Sequence, residues 1–484
     1  MHAAARPPPA FTAEQIAALT RVRPSERQLD WQEMGFYAFV HFGMNTMTDR
    51  EWGLGDEDPA IFDPSALDVD QWMRAFADAG MTGAILTAKH HDGFCLWPSA
   101  VSTHTVAQSP WRGGKGDLVR EFADAARRHG LKLGIYLSPW DRHEPTYGSG
   151  RAYDDFFVRQ LEEVLGGGYG DVFSVWFDGA NGEGPDGRRQ EYDWDRYYGV
   201  IRRLQPGAVI TVCGPDVRWC GNEAGHTRAN EWSVVPGPLR DAERIAERSQ
   251  QADDGEFSRL VRSDEEDLGS RRAIAGHLDD LVWYPAEVNT SIRPGWFYHA
   301  VEDERVRDAN ELFALWASAA GGNACLLLNV PPRPDGLVAP PDVAQLRAVG
   351  ERIRAFERSV VPAEATASSG TIADGPAGLG DPFAPGRRVA WSPSAEDAAP
   401  ALTLRFREPT ALRAVVVREA ITEGQRLEDV VFRSLDDGAE LASAASVGYQ
   451  RIVFLKGVVS GVRVEFRQSR GVPALRAVAA IASA

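Results

Sequence analysis

Five runs of β-branched and aromatic residues each lead into side chains able to do chemistry. FYAFVHFG (36–43) carries His41 near its end, and GAILTAKH (83–90) runs into His90, His91 and Asp92. LKLGIYLS (131–138) holds Tyr136 and is followed by Trp140 and Asp141. VFSVWFDG (172–179) ends in Trp176 and Asp178, and AVITVCG (208–214) is followed by Asn222 and Glu223. Each group alone has an ordinary explanation. A strand-end His is often a satisfied structural residue, and an Asp after an apolar run often caps the next helix. Gathered at the ends of successive runs, they describe a pocket. Imidazoles match the donors and acceptors of a hydroxyl-rich ligand. Trp rings pack on the C–H faces of such a ligand. A pair of carboxyls cleaves an acetal, one attacking or stabilising, the other protonating the leaving oxygen.

Two other chemistries compete with a sugar site. A metal-dependent barrel hydrolase would place His41, His90, His91 and Asp178 around Zn2+. Barrel metallohydrolases of the amidohydrolase kind begin with His-x-His on the first strand, whereas this chain has His41-Phe42-Gly43. Adjacent His90 and His91 are also expected to diverge on an extended strand. The second competitor is a catalytically silent carbohydrate-binding barrel. Two placed carboxylates in a polar rim cost desolvation energy that binding alone does not require.

Residues from separate runs reach one rim only if a sheet aligns the runs. Helical patterns separate the first few: VDQWMRAFADAG (69–80), DLVREFADAARRHG (117–130) and YDDFFVRQLEEVL (153–165). Two of these end in Gly, as helix C-termini prefer. A sixth run is ACLLLNV (324–330). The runs lack strict in/out alternation, so the strands are buried on both faces, as in a parallel sheet. The expected fold class is α/β: a (β/α)8-like, TIM-type barrel over residues 26–362, with its site at the C-terminal strand ends. Six strands are legible, and the stretch from about 231 to 300 is irregular. The charged segment 250–272 reads as a solvated loop or helix. Residues 1–25 form a Pro-rich N-terminal arm, expected to be poorly ordered before it docks. The Gly/Ala/Ser/Pro-rich stretch 365–382 reads as a linker or irregular entry. Short period-2 runs then follow (402–406, 413–420, 451–455, 462–466, 476–482), so 363–484 is read as a C-terminal β-sandwich.

Composition narrows the partners. The chain has 484 residues, with 52 Lys and Arg against 69 Asp and Glu, a net charge of −17. So acidic a protein has no general footprint for nucleic acid or an anionic membrane. Of 14 Trp, all but Trp391 precede residue 365, so the aromatic surplus belongs to the barrel. The four Cys form no CxxC pair and are expected to be reduced and mostly buried. No run approaches 18 apolar residues and no secretory h-region is visible. A cytoplasmic location is the default expectation, with secretion only if a signal has been removed.

At these motifs the chain resembles the α-L-fucosidases of glycoside hydrolase family 29. The resemblance covers nearly the whole barrel. It rests on WQEMGFYAFVHFGMNTMTDREWG (31–53), LTAKHHDGFCLWPS (86–99), GIYLSPWDRH (134–143), VWFDGANGEG (175–184), RWCGNEAGHTRANEWSVVP (218–236), DLGSR (267–271), EVNTSIRPGWFYH (287–299) and LLLNVPPRPDG (327–336). HFG, KHHDGF and WFDG in that order and spacing are a specific signal. The EWG, NEAG and SIRPGWFYH segments look more like the subgroup acting on α-1,3/1,4-linked fucose in branched glycans, whose members often carry a β-sandwich after the barrel.

The resemblance implies a retaining double displacement on a terminal α-L-fucose of an oligosaccharide or glycoconjugate, with no metal or cofactor. Asp178 matches the nucleophile. Glu223 matches the general acid/base, with Glu231 and Glu287 as competing candidates. His41, His90 and His91 would grip the fucose hydroxyls. Tyr136 and Trp176 would flank the pocket, and Trp52, Trp140 and Trp296 would line its mouth. Retention further implies carboxyls about 5–5.5 Å apart, with Asp178 ionised and Glu223 initially protonated.

Overall fold

The computed structural model describes residues 9–166, 168–241, 267–373, 379, 381–384 and 386–483. Its first half repeats a strand and a covering helix. β1 (Phe36–Val40), β2 (Gly83–Lys89), β3 (Lys132–Leu137), β4 (Val172–Phe177) and β5 (Val209–Val212) follow α1 (Ala13–Arg21) and α2 (Glu26–Gln32). Between these strands lie α3 (Met44–Thr48), α4 (Val69–Asp78), α5 (Leu118–Arg128), α6 (Arg151–Gly166) and α7 (Trp194–Leu204). Asp68, Asp117 and Asp193 cap α4, α5 and α7 through their side chains. α5 shows how the repeat packs: Leu118, Val119, Phe122, Ala123, Ala125 and Ala126 are all buried on one face.

Three further strands complete the barrel: β6 (Arg218–Trp219), β9 (Ala286–Ser291) and β10 (Ala324–Asn329). A small antiparallel pair, β7 (Val234–Pro236) and β8 (Leu281–Trp283), lies between them in sequence. The eight-stranded sheet has the order β5-β4-β3-β2-β1-β10-β9-β6, and its pairs are parallel. A parallel bridge between Thr211 and Val217 brings β5 and β6 together and nearly closes the ring. The chain turns between them without a helix, and Val212 adopts φ 64° to do so. A β-branched residue there is a strained position. α8 (Arg271–Ile274), α9 (Ala309–Ala319) and α10 (Pro340–Arg358) finish this part.

Two barrel strands therefore go beyond the six read from sequence. β6 is only two residues long, and β9 (AEVNTS) is too polar to read as a buried strand. The N-terminal arm is described from residue 9 onward. Residues 13–21 form a helix because Thr12 and Gln15 make a reciprocal capping box, and Leu19 is buried. Most of the charged segment 250–272 lies outside the described residues. Its end does not: Ser270 caps α8, and Arg271 pairs with Glu428 at 2.6 Å.

The C-terminal part is antiparallel: β11 (Ala363–Ala367), β12 (Ala401–Glu419), β13 (Leu427–Ser434), β14 (Glu440–Ala444), β15 (Arg451–Ser469) and β16 (Leu475–Ala482). The expected sandwich is built from one connected sheet, in the order β11-β12-β15-β13-β14 with β16 beside β12. The runs 402–406 and 413–420 are the two halves of β12, and 451–455 and 462–466 fall within β15. Register shifts at Arg405/Thr410 and Leu412/Ala414 interrupt the β12 pairing, as bulges do where a strand bends. Leu402, Leu404, Val415, Val417, Val453, Val462 and Val464 then share one core.

Candidate active site

The C-terminal strand ends open into a pocket with an empty volume of about 410 Å3. Phe39, His41, Glu51, Trp52, His90, His91, Trp176, Asp178, Ala180, Glu223, Asn289 and Trp296 line it. Eight of the ten residues picked from sequence are thus in the wall. Phe39, Glu51, Ala180 and Asn289 complete the wall beyond the residues expected from sequence. Glu51 adjoins Trp52 in the quoted EWG segment, and Asn289 sits on the unread strand β9.

Asp178 follows β4 and does not cap a helix. Its Oδ1 accepts the Ala180 N–H at 2.8 Å, and its Oδ2 accepts the Tyr136 hydroxyl at 2.9 Å. His91 Nε2 lies 3.8 Å from Oδ2. Burial raises the Asp178 carboxyl above its ordinary range, while the Ala180 N–H, the Tyr136 hydroxyl and the Gly179 N–H pull it back. Glu223 enters from the loop after β6, and its Oε2 accepts the Trp296 indole N–H at 3.0 Å.

The neighbours of each imidazole decide its tautomer. Asn329 Nδ2 donates to the Trp296 carbonyl at 2.7 Å and to Ser291 Oγ at 3.0 Å, so its Oδ1 faces His41 Nδ1 at 2.9 Å as an acceptor. His41 therefore carries its proton on Nδ1 and offers the Nε2 lone pair. Asn45 Nδ2 donates to the Glu51 carbonyl at 2.8 Å and lies 3.1 Å from His90 Nδ1. His90 Nδ1 thus accepts, and Nε2–H is the donor. The Ser138 hydroxyl donates to the Trp140 carbonyl at 2.7 Å, which leaves its oxygen to accept from His91 Nδ1 at 2.8 Å. Burial holds all three rings neutral: it lowers His41 to about 3, and lowers His90 and His91 with help from neighbouring imidazoles.

His90 and His91 do not diverge. Their ring centroids are 4.0 Å apart. β2 ends at Lys89, and both residues sit in the following turn, where the two-residue alternation of a strand no longer applies. Ligand atoms of His90, His91 and Asp178 accordingly lie within 4.8 Å of one another. A neutral imidazole has one lone pair, and in His90 the Asn45 amide engages it, so this ring donates rather than ligates.

Glu51 ties the mouth together. Its carboxylate accepts the N–H groups of Trp296 at 2.8 Å and Phe297 at 3.0 Å, and meets His299 Nε2 at 2.9 Å. His299 Nδ1 meets Asp49 at 2.6 Å, and the two carboxylates raise this imidazole to about 9. Buried Arg293 anchors the base of the same loop to Asp342 on α10 at 2.9 Å.

Tyr136 and Trp140 stand one layer back. Tyr136 reaches Asp178 and stacks on His90 and Trp176 with centroids 5.7 and 5.4 Å away. Trp140 packs on His91 at 4.7 Å and on Trp52 at 5.3 Å. Glu231 and Glu287, the competing acids, lie outside the pocket wall. Glu287 is fully buried beneath it and accepts the Tyr37 hydroxyl and, at 2.8 Å, the Trp176 indole N–H; burial pushes its carboxyl up to about 7. Glu231 is fully buried between Arg218 and Arg228. Asp92 and Asp141 are buried as well, Asp141 against Lys89 at 2.8 Å.

Two carboxyl groups in an aromatic-walled pocket at the C-terminal mouth of a barrel are the layout of a glycoside hydrolase. The family model for alpha-L-fucosidase matches residues 18–356. Alpha-L-fucosidase 1 of Arabidopsis thaliana is 37% identical over 444 residues, covering 90% of this chain and 82% of its own. The structure of a glycoside hydrolase 29 family member from a rumen bacterium superposes with a TM-score of 0.76 at 34% identity, covering 96% and 78% of the two chains. That of a GH29 fucosidase from Ruminococcus gnavus in complex with fucose gives 0.79 at 25% identity, covering 100% and 97%. The chain belongs to the α-L-fucosidases of glycoside hydrolase family 29, and α-L-fucosidase is its enzymatic class.

Proposed function

We propose that the enzyme is a retaining exo-α-L-fucosidase that releases terminal α-1,3- or α-1,4-linked fucose from branched glycans. The observation that carries this reading is the placement of Asp178 and Glu223 in one pocket wall. In the first step the Asp178 carboxylate attacks the anomeric carbon as the glycosidic C–O bond breaks, and Glu223 gives its proton to the departing oxygen. Esterification removes the charge of Asp178. Glu223, now ionised, takes a proton from water, water attacks the anomeric carbon, and Asp178 leaves as carboxylate. The tautomers supply one donor (His90) and two acceptors (His41, His91) for sugar hydroxyls. The fucose bound in the Ruminococcus gnavus relative supports a fucose ligand. The linkage assignment rests on the EWG, NEAG and SIRPGWFYH segments.

Asp178→Ala is expected to lower turnover by at least about 10³-fold, with partial rescue by azide or formate giving product of inverted configuration. Near-normal activity in that variant refutes the nucleophile assignment. EDTA is expected to leave activity unchanged, and loss of activity with it would favour the metal reading. Incubation with α-1,2-, α-1,3-, α-1,4- and α-1,6-fucosylated oligosaccharides tests linkage by the appearance of free fucose. Release from the α-1,2 or α-1,6 substrates alone overturns that part.

A further inference from the structure

The loop that carries Glu223 has no regular secondary structure between β6 and β7, yet a general acid must sit at hydrogen-bonding distance from its leaving oxygen. What holds the loop is a buried cluster behind the pocket. Arg228 Nη1 donates to the Cys220 carbonyl at 2.7 Å and lies 3.5 Å from Glu231 Oε2. Arg218 donates to the other Glu231 oxygen and to the Trp232 carbonyl at 3.0 Å. The fully buried Glu231 carboxylate thereby joins both ends of the loop, 220 and 232, through two arginines.

The second half of the clamp comes from the C-terminal sheet and the loops that join its strands. Arg451, the first residue of β15, donates through Nη2 to the Ala229 carbonyl at 2.7 Å. Gln425 Oε1 accepts the Ser233 N–H at 2.7 Å, and its Nε2 reaches the Glu231 carbonyl at 3.5 Å. Ser446 Oγ donates to the same carbonyl at 3.4 Å. From the barrel side, Asn323 Nδ2 donates to it at 3.0 Å, while Asn323 Oδ1 accepts the Tyr449 N–H at 2.7 Å. Main-chain groups at 229, 231 and 233 are thus held by side chains more than 190 residues further along. Such contacts fix where a backbone runs and carry no chemistry themselves.

We propose that the C-terminal sheet positions the general acid: Gln425, Ser446 and Arg451 act on the Glu223 loop through its main chain, with Glu231 as the buried hub. The proposal rests on the reading of Glu223 as acid/base. It makes the C-terminal part of the chain a contributor to leaving-group protonation.

The test compares kcat/KM on an unactivated fucosylated oligosaccharide with kcat/KM on an aryl fucoside bearing a nitro-substituted leaving group. The nitro-aryl group departs without a proton, so only the oligosaccharide depends on a well-placed acid. Arg451→Ala and, as a milder change, Gln425→Ala are expected to lower the oligosaccharide value about tenfold more than the aryl value. Equal losses on both substrates, or no loss, overturn the proposal. Should Arg451→Ala fail to fold, Gln425→Ala and Ser446→Ala carry the same comparison. Glu223→Ala is measured alongside. If it loses both substrates equally, the acid/base reading has failed; if it is selective and the C-terminal variants are not, only the positioning proposal has failed.

Discussion

Asp178 works against its own environment. In the proposed mechanism it must be ionised to attack, yet burial favours the neutral acid, opposed by the Ala180 and Gly179 N–H groups and the Tyr136 hydroxyl. The acid limb of the kcat/KM profile is therefore expected above the ordinary Asp range. Tyr136→Phe removes a donor to the ionised form, so the limb should move further up and kcat/KM should fall about tenfold. A pH–rate profile on which the variant's limb moves down contradicts this. The imidazoles carry a stability consequence. His41 titrates near 3 when folded and near 6.5 when unfolded, so below pH 6.5 the unfolded chain takes up protons that the folded chain refuses. This contribution is complete above 6.5 and is lost as pH falls toward 3. Thermal unfolding should show Tm falling across that window, with a shallower fall for His41→Gln.

At the scale of elements, the mouth is held by loops that electrostatics and hydrogen bonds pin together. The 49–53 and 293–299 loops meet through Asp49, Glu51 and His299. His299 is raised to about 9, so its charged form holds the clamp at lower pH and is lost as pH rises through that value. KM should consequently rise on the alkaline side before kcat falls. His299→Phe should show the raised KM at neutral pH with little change in kcat, since Trp52 and Trp296 lose a fixed separation while the carboxyls keep theirs. Initial rates across substrate concentrations at pH 7 and 9.5 check both. These loops were visible in sequence as Trp-bearing motifs, but their partnership was not: Glu51 and His299 stand 248 positions apart. β6 and β9 escaped notice for a related reason. Arg218, Glu287 and Asn289 are polar, and only their partners across the barrel make these positions interior ones.

Across the whole molecule, the two parts share apolar contacts as well as the hydrogen bonds behind the Glu223 loop. Ala414, Val416, Ile452 and Ile481 of the C-terminal strands belong to the same buried cluster as the barrel interior. Phe356 of α10 faces Phe454 of β15 with centroids 6.2 Å apart. Such continuity couples the parts, so calorimetry of the full chain should show one cooperative transition rather than two. A chain ending at residue 362 would expose this seam and is expected to aggregate. Two separated transitions, or a soluble, active barrel alone, would show the parts to be independent.

Local sequence determined the strand–helix alternation, the barrel class and the residues at the ends of β1 to β4. Those depend on hydrophobic periodicity and on side chains a few positions apart. It also marks Asp178 and Glu223 as the carboxyls of the pocket, with Glu231 and Glu287 as less favoured competitors for the acid/base role. Tertiary structure separated them: Glu223 reaches the pocket, while Glu231 is consumed by two arginines and Glu287 by Tyr37 and Trp176. A carboxylate's role depends on what surrounds it in space, and those surroundings come from strands and loops far away along the chain. The tautomers of His41, His90 and His91 follow the same logic, because the proton on each ring is placed by a neighbour that only the closed barrel brings near.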